Sequence, residues 1–368
     1  MKITAAVVRA SAQPFTLEEL ELDEPHDDEV LVRIIATGLC HTDLAMRAVP
    51  VMPFPLVLGH EGAGVVERVG SQVTRVQPGD HVVLSFFTCA VCENCRKGHA
   101  AYCDRFLDQF FPGIYTGARP DGSHFFHRGD EPVSGGFFSQ SSFGTYALAR
   151  ERNTIKVPRD LPIELLGPLG CGIQTGAGGV MNSLRATPGS SMVIFGLGSV
   201  GLSAVMAAQV VGCTTIIGVD LKAQRLELAR ELGATHTINP AEADTVEEIR
   251  RITGGGAHYS LEVTGVPSVL RQAVDCLRMT GVCGLIGVSP PGAEVSLDMA
   301  SILNGRTVRG IIEGDSVPEV FIPHLIDLYR QDRFPFDRLV TFYTLDQINQ
   351  AVEDTEHGNV VKAIVRMP

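Results

Sequence analysis

The chain has 368 residues, of which 45% are hydrophobic and 20% charged, and its formal net charge is −12. This length predicts two domains of ordinary globular composition, and no apolar run is long enough to predict a membrane span. The negative charge disfavours nucleic acid and anionic membranes as partners and favours a small molecule. Arg9 interrupts the apolar N-terminus and no cleavage pattern follows, so we expect a cytoplasmic protein.

Residues 1–150 are rich in short β-like runs separated by glycine and proline. The clearest runs are Val30–Ala36, Gly64–Val69 and Asp80–Leu84. They predict a compact, largely antiparallel β domain. A last apolar run, Val360–Val365, has no evident place in the α/β region described below and can return to this first domain.

Four cysteines lie within one short lobe, at positions Cys89, Cys92, Cys95 and Cys103. Their spacing favours one tetrahedral Zn²⁺ site, and four thiolates leave no open coordination position, which indicates a structural metal. Free thiols, disulfides and an iron–sulfur cluster are the alternatives. A ferredoxin motif would place the fourth cysteine close by and follow it with proline, whereas Asp104 follows Cys103 here.

A βα pattern begins at Ser191. Met192–Phe195 is a short apolar strand, and the turn Gly196–Gly201 and a helix through Val211 follow it. The next strand ends in Asp220, at the offset of a dinucleotide-binding fingerprint. Its glycines and the helix N-terminus suit a pyrophosphate, and Asp220 would bind the adenosine ribose and repel a 2′-phosphate. The pattern therefore predicts NAD rather than NADP.

The alternation of strands and helices continues through the second half of the chain. The predicted strands are Thr214–Val219, Tyr259–Val263, Val282–Gly287 and Thr307–Ile312. The predicted helices are Lys222–Gly233, Thr245–Ile252 and Ser268–Leu277. This order predicts an α/β fold with a doubly wound parallel sheet.

Three further metal-ligand candidates, Cys40, His60 and Cys171, are scattered along the chain. Spacing alone favours ordinary core residues over a shared metal site, because buried cysteine usually acts as a small apolar group. Several motifs, however, come in the order found in one family; they are Gly38–Asp43, Gly59–Gly64 with Gly70 and Val73, Pro78–Val82, the cysteine lobe, Gly170–Gly172 and the glycine-rich turn. Over essentially its whole length the chain resembles the zinc-containing medium-chain alcohol dehydrogenases, and at Gly167–Gly176 the aryl (benzyl) alcohol dehydrogenases in particular.

The resemblance implies that Cys40, His60 and Cys171 bind a catalytic zinc with one open position. It implies that Asp43 hydrogen-bonds His60 from behind, and that Glu61 lies behind the metal as a possible alternate ligand. Thr42 matches the hydroxyl that binds the substrate oxygen and starts a proton relay. Ala45 stands where a histidine often ends that relay, so its last acceptor is in doubt.

The resemblance also implies a domain plan: a GroES-like catalytic domain over 1–172 with the zinc lobe at 86–105, a Rossmann NAD-binding domain over 173–312, and a return to the catalytic domain over 313–368. It assigns cofactor contacts to His41, Gly196, Gly198, Ser199, Val200, Gly201, Asp220, Arg225, Val288 and Lys362. Judged without the resemblance, Arg225 and Lys362 are expected to be solvated surface charges. A homodimer or homotetramer formed through the cofactor domain, near Thr307–Ile312, is implied as well.

The function implied is oxidation of a primary alcohol to the aldehyde, with two zinc ions per subunit and hydride transfer to NAD. An aryl, benzyl or allylic alcohol is expected because apolar residues match family pocket positions or lie near them; these are Phe106, Phe110, Phe111, Tyr115, Ile286, Val288 and Ile312. The alternatives are a medium-chain aliphatic or terpenoid alcohol, S-hydroxymethylglutathione, and a non-catalytic NAD-binding redox sensor or structural protein.

Overall fold

The computed structural model describes residues 1–105, 118–119 and 121–368. Its strands are β1 (Lys2–Val8), β2 (Thr16–Leu22), β3 (Glu29–Gly38), β4 (Leu56–Val57), β5 (Gly62–Val69), β6 (His81–Leu84), β7 (Phe126–Arg128), β8 (Glu131–Val133), β9 (Tyr146–Arg150), β10 (Thr154–Lys156), β11 (Ser191–Phe195), β12 (Thr215–Val219), β13 (His236–Ile238), β14 (Ala257–Glu262), β15 (Leu277–Leu285), β16 (Thr307–Gly310), β17 (Val340–Thr344) and β18 (Lys362–Arg366). Its α-helices are α1 (His41–Arg47), α2 (Glu93–Arg96), α3 (Gly172–Gly178), α4 (Ser199–Val210), α5 (Ala223–Glu231), α6 (Thr245–Thr253), α7 (Pro267–Asp275), α8 (Met299–Leu303), α9 (Pro318–Arg330) and α10 (Ile348–His357). Among these described residues, no helix has the length and apolar character needed to cross a membrane.

The described chain divides into two compact units. The first comprises Met1–Cys171, Val317–His324 and Asp337–Pro368. The second comprises Gly172–Ser316 and Leu325–Phe336. The domain ranges that the resemblance implies stay a prediction, and the short segment 325–336 belongs to the second unit rather than the first.

The first unit is built from two sheets that are largely antiparallel, as the sequence predicts. One sheet has the strand order β4-β1-β2-β7-β8. The other has the order β10-β6-β5-β3-β18-β17, and β9 also pairs with β3. Strand β18 runs antiparallel to β3, with Ile364 opposite Gly38. The C-terminal strand therefore closes the central sheet of this unit and brings Lys362 close to the residues that follow β3.

The second unit is a parallel sheet with the order β13-β12-β11-β14-β15-β16. The order reverses between β11 and β14, which is the position where dinucleotides bind in doubly wound sheets. Every side chain of β11 is buried, because helices cover both faces of such a sheet. The predicted doubly wound sheet is confirmed.

Local sequence signals explain the helix ends of the second unit. The Asp244 carboxylate accepts a hydrogen bond from the Glu247 N–H and caps α6, and Gly254 ends the helix with a φ of +69°. The sequence does not predict the three-residue strand β13, which is too short to show a period. It also does not predict α3, whose sequence Gly-Ile-Gln-Thr-Gly-Ala-Gly is too rich in glycine to indicate a helix.

Candidate active site

The Asp43 carboxylate organises the start of α1 and the loop that carries His60. Its Oδ2 accepts a hydrogen bond from the N–H of Cys40 at 3.0 Å. Its Oδ1 lies 3.1 Å from the N–H of Gly59 and 2.9 Å from His60 Nδ1. Because an ionised carboxylate only accepts, His60 donates from Nδ1, which leaves the Nε2 lone pair available to a metal.

The ligand atoms of four side chains converge beside this helix, and these residues are Cys40, His60, Glu61 and Cys171. All four atoms lie within 4.8 Å of one another. His60 Nε2 is buried and has no hydrogen-bond partner among the described residues. Two thiols and one imidazole are a donor set that Zn²⁺ takes with one position left open. These residues therefore fit a catalytic zinc, and their assignment as its ligands stays a prediction.

The electrostatics of the cluster favour the thiolate form that binds metals. A hydrogen bond with Cys171 holds the pKa of Cys40 well below its usual range, against the opposing effect of burial. Burial tends to lower the pKa of His60, but Asp43 and Cys40 together raise it well above its usual range. In the absence of a metal these groups therefore favour a thiolate at Cys40 and a second proton on His60, which a zinc ion would displace from Nε2.

Three glycines allow the chain segments of the cluster to approach closely. A Cβ on Gly38 would overlap the Oε2 of Glu61, and one on Gly167 would overlap the Glu61 carbonyl oxygen. A Cβ on Gly170, next to Cys171, would overlap the carbonyl oxygen of Leu84. These glycines, part of the motifs that carry the resemblance, are needed for packing rather than for turns.

Lys362 forms a buried ion pair with Glu61. Its Nζ lies 2.5 Å from Glu61 Oε2 and donates a hydrogen bond to the Leu39 carbonyl oxygen at 3.1 Å. Burial raises the pKa of Glu61 to about 7, although Lys362 opposes this effect. With 2% exposure, Lys362 is not the solvated surface charge expected from sequence alone. Its contact with the cofactor stays a prediction.

The first turn of α1 carries the residues assigned to the proton relay. Thr42 Oγ1 lies 3.7 Å from Cys40 Sγ, and Thr42 is half-buried. Ala45 and His41 are exposed. The structure therefore brings Thr42 to the cluster, while the roles of Thr42 and of His41 stay predictions.

Two phenylalanines that sequence reasoning missed pack on the His60 ring. The Phe138 ring stacks on it with centroids 4.4 Å apart, and the Phe137 ring meets it edge-on at 5.4 Å. The backbone here is strained, because Phe138 and Ser139 have φ values of +51° and +54°. No sequence pattern signals this contact. The predicted pocket residues Phe106, Phe110, Phe111 and Tyr115 lie outside the described residues.

Gln140 fixes the strained segment against the cluster. Its Nε2 donates to the His60 carbonyl oxygen at 2.9 Å, and its Oε1 accepts from the Gly62 N–H at 3.1 Å. Gln140 is 1% exposed, so both bonds are shielded from water. Gln140 therefore attaches the segment that carries the two phenylalanine rings to the backbone at His60 and Gly62.

The cysteine lobe brings its four sulfur atoms together, as the spacing predicts. Cys89 Sγ lies 4.0 Å from Cys95 Sγ, and Cys92 Sγ lies 4.0 Å from Cys103 Sγ. All four sulfurs are within 4.8 Å of one another. Backbone N–H groups also point at the sulfurs, among them that of Cys92 at 3.3 Å from Cys89 Sγ. The lobe fits one tetrahedral zinc.

The glycine-rich turn of the second unit has the shape of a phosphate cradle. Gly196 has a φ of +92°, and a Cβ on Gly201 would overlap the Gly196 carbonyl oxygen. A Cβ on Gly198 would meet no other described atom within 4 Å, so its backbone is open to a ligand. Ser199 and Val200 begin α4 directly after it. These features fit the pyrophosphate of a dinucleotide.

Asp220 directly follows the strand β12, beside this turn. Its carboxylate accepts hydrogen bonds from the N–H of Leu197 at 2.7 Å and that of Lys222 at 2.8 Å. Arg225 Nη1 lies 3.9 Å from Asp220 Oδ2, and the Arg225 side chain is 22% exposed. The remaining predicted contacts in this unit are exposed or half-buried; they are Ile286, Val288 and Ile312.

Comparison with known proteins identifies the family. Residues 26–159 match the alcohol dehydrogenase GroES-like domain, and residues 199–330 match the zinc-binding dehydrogenase domain. Geraniol dehydrogenase of Castellaniella defragrans is 48% identical over 363 residues, which cover 98% of this chain and 96% of that protein.

Two solved structures are similar over the whole chain. An alcohol dehydrogenase zinc-binding domain protein from Burkholderia ambifaria has a TM-score of 0.97 at 55% identity and covers 100% of this chain and 99% of its own. Benzyl alcohol dehydrogenase of Acinetobacter calcoaceticus has a TM-score of 0.95 at 48% identity, with both chains fully covered. The donor sets of the two cysteine clusters and the dinucleotide turn agree with these matches. The chain therefore belongs to the zinc-containing medium-chain alcohol dehydrogenases, enzymes that use zinc and NAD.

Proposed function

We propose that this alcohol dehydrogenase oxidises a primary aryl or allylic alcohol to the aldehyde. The observation that carries the proposal is the pair of aromatic rings, Phe137 and Phe138, that pack on His60. We infer that these buried rings also border the substrate, where flat aromatic surfaces favour a reacting carbon that adjoins a planar π-system, because offset and edge-on ring contacts are favourable. Relatives whose names specify geraniol and benzyl alcohol support this choice.

Residues of the first unit have separate roles in the oxidation of the alcohol. Zinc held by Cys40, His60 and Cys171 would supply a Lewis acid that lets an alcohol lose its proton near neutral pH, and bound NAD would be the hydride acceptor. Asp43 holds the His60 tautomer. The hydroxyl of Thr42 passes the alcohol proton outward, and because Ala45 has no titratable group to receive it, water or another group takes that proton at the next step.

Two alternative substrates are less well supported. S-hydroxymethylglutathione would need a free cation to bind its carboxylates, but the lysine beside the cluster, Lys362, is buried against Glu61. A medium-chain aliphatic alcohol would gain little from two aromatic walls. A non-catalytic role is disfavoured because Cys40, His60 and Cys171 are all retained and come together.

A substrate panel tests the proposal. We expect kcat/KM for benzyl alcohol and geraniol to exceed that for hexanol by about tenfold or more, the range that pocket contacts with one group can give. Phe138→Ala should reduce this preference. Phe342→Ala, which truncates a half-buried ring on β17 that packs against Arg366, should leave the preference unchanged. Equal kcat/KM for hexanol and benzyl alcohol, or turnover of S-hydroxymethylglutathione alone, would refute the assignment.

We also infer that copies of the chain assemble through the second unit. Strand β16 is the last strand of the parallel sheet, so its outer edge is available for pairing. Met299 and Leu303 on α8 are 86% and 87% exposed, which is unusual for large apolar side chains. Light scattering should give a dimer or tetramer for the native chain and a smaller species for Leu303→Lys. A monomeric native chain would contradict the inference.

A further inference from the structure

A fully buried serine lies beside the segment that carries one of the candidate zinc ligands, and the mechanism above gives it no role. Ser85 directly follows β6 and is 0% exposed. Strand β6 pairs antiparallel with β5, with Val83 opposite Ala63, and β5 begins two residues after His60. This register places Ser85 next to the chain segment of the candidate imidazole ligand.

The Ser85 hydroxyl binds the segment that carries a second candidate ligand. Its Oγ donates a hydrogen bond to the Gly170 carbonyl oxygen at 2.6 Å, and Gly170 directly precedes Cys171. A Cβ on Gly170 would overlap the Leu84 carbonyl oxygen, so the backbones of the two segments are in direct contact. The hydroxyl therefore fixes the backbone before Cys171 against the end of β6.

The Ser85 carbonyl oxygen is bound by a side chain that also binds His60. Gln140 Nε2 lies 2.9 Å from the His60 carbonyl oxygen and 3.3 Å from the Ser85 carbonyl oxygen, and its amide group can donate one hydrogen to each. Gln140 is buried. A path of buried hydrogen bonds therefore runs from the His60 backbone through Gln140 to Ser85, and from there to the segment of the second ligand.

Asn153 also binds Ser85, through two hydrogen bonds. The Ser85 N–H donates to the Asn153 carbonyl oxygen at 2.9 Å, and Asn153 Nδ2 donates to the Ser85 carbonyl oxygen at 3.2 Å. The same Nδ2 lies 3.3 Å and 3.2 Å from the carbonyl oxygens of the strained residues Phe138 and Ser139. Asn153 is buried, and a buried polar network favours one arrangement because each unpaired member is costly. Ser85 is therefore held in one position.

We propose that Ser85 is a positioning residue that keeps the segments of His60 and Cys171 in one mutual arrangement. It acts through Gln140 and Gly170 and does not itself bind the metal. Zinc requires its nitrogen and sulfur ligands at distances of about 2.0–2.3 Å, so a small displacement of one segment relative to the other weakens binding. The inference rests on the proposed catalytic zinc and is independent of which alcohol is oxidised.

Zinc release from the zinc-loaded, full-length protein to excess pyridylazoresorcinol tests this proposal. The native chain should release zinc in two phases, and Cys171→Ser and Cys95→Ser identify the cluster phase and the lobe phase because each variant lacks one. For Ser85→Ala we expect the cluster phase to be about tenfold faster, the lower end of the effect on metal affinity of residues that orient a ligand. The lobe phase should keep its rate, whereas a general loss of stability would accelerate both phases.

A second variant tests the path between the two ligand segments. Gln140→Met removes the amide that joins Ser85 to His60, and it should accelerate the cluster phase as well. Because both residues act through one path, the double variant should release zinc about as fast as the faster single variant. Ser260→Ala is the matched control, since Ser260 is equally buried and its hydroxyl donates to the Ala273 carbonyl oxygen, also at 2.6 Å. Ser260 belongs to the second unit, and its loss should leave both phases unchanged.

Three results overturn the proposal: an unchanged cluster phase in Ser85→Ala, an equal acceleration of both phases, and independent effects of Ser85→Ala and Gln140→Met that multiply in the double variant. If Ser85→Ala does not fold, Gln140→Met decides, and an unchanged cluster phase there also overturns the proposal. A native chain without a cluster phase would contradict the zinc assignment itself and this inference with it. A failed substrate panel would not affect these release rates.

Discussion

At the residue scale, the candidate zinc site depends on one carboxylate that makes three contacts. Asp43 binds the N–H of Cys40, the N–H of Gly59 and the imidazole of His60. It therefore fixes the position of Cys40 and the tautomer of His60, which are two of the candidate ligands. An asparagine at this position could not replace all three contacts, because its side-chain nitrogen donates and only its oxygen accepts hydrogen bonds.

Asp43→Asn should therefore weaken zinc binding at the cluster. We expect a loss of about 10–100-fold in metal affinity or in kcat/KM, the usual range for a partner of a metal-bound histidine. Zinc release to a competing chelator and kcat/KM for benzyl alcohol measure the two effects. Asp346→Asn, at an exposed position, is the control. Native-like zinc release from Asp43→Asn would show that Asp43 does not control the site.

At the scale of elements, a buried ion pair attaches the segment at residue 119 to β3. Arg119 Nε and Nη2 bind the two Glu29 carboxylate oxygens at 3.0 and 3.1 Å, and both residues are at most 3% exposed. Arg119→Met leaves the Glu29 charge buried without this partner, so the free energy of unfolding should fall by about 3–5 kcal/mol.

Urea unfolding measures that change. Arg251→Met provides the comparison, because Arg251 pairs with Glu248 on the surface with a side chain that is 70% exposed. A surface pair of this kind contributes little to stability, because water and salt screen it. Equal effects of the two substitutions would contradict a structural role for the Glu29–Arg119 pair.

Asp80, in the turn between β5 and β6, should make the free energy of unfolding depend on pH in the acidic range. Burial of Asp80 raises its pKa, but hydrogen bonds from Lys156 and the Gln77 N–H more than offset this, and the net pKa is lowered. The stabilisation is therefore present above the unfolded pKa of about 4 and is lost as pH falls through the lower folded value. The stability difference between the native chain and Asp80→Asn should shrink below about pH 4. A difference that stays constant from neutral to acidic pH would rule this out.

At the scale of the whole molecule, local patterns predicted much of the fold and only part of the site. The Cys89–Cys103 spacing and the Gly196–Gly201 turn are short-range signals, and both predicted geometries are present. Cys40 and Cys171 are far apart in sequence, so only the family resemblance connected them. The Glu61–Lys362 pair depends on the register of β18 against β3, which no local pattern encodes. The ring contacts of Phe138 depend on a strained backbone that propensities disfavour.

The central claim is that Cys40, His60 and Cys171 bind one zinc that alcohol oxidation requires, separate from the zinc of the cysteine lobe. Elemental analysis of Cys171→Ser and Cys95→Ser, combined with alcohol-dependent NADH formation, tests it most directly. The native chain should hold two zinc ions, one for each cluster, and each variant should hold one. Only Cys171→Ser should lose its initial rate while the protein stays folded. Two zinc ions in Cys171→Ser, or full turnover with the cluster metal absent, would contradict the claim.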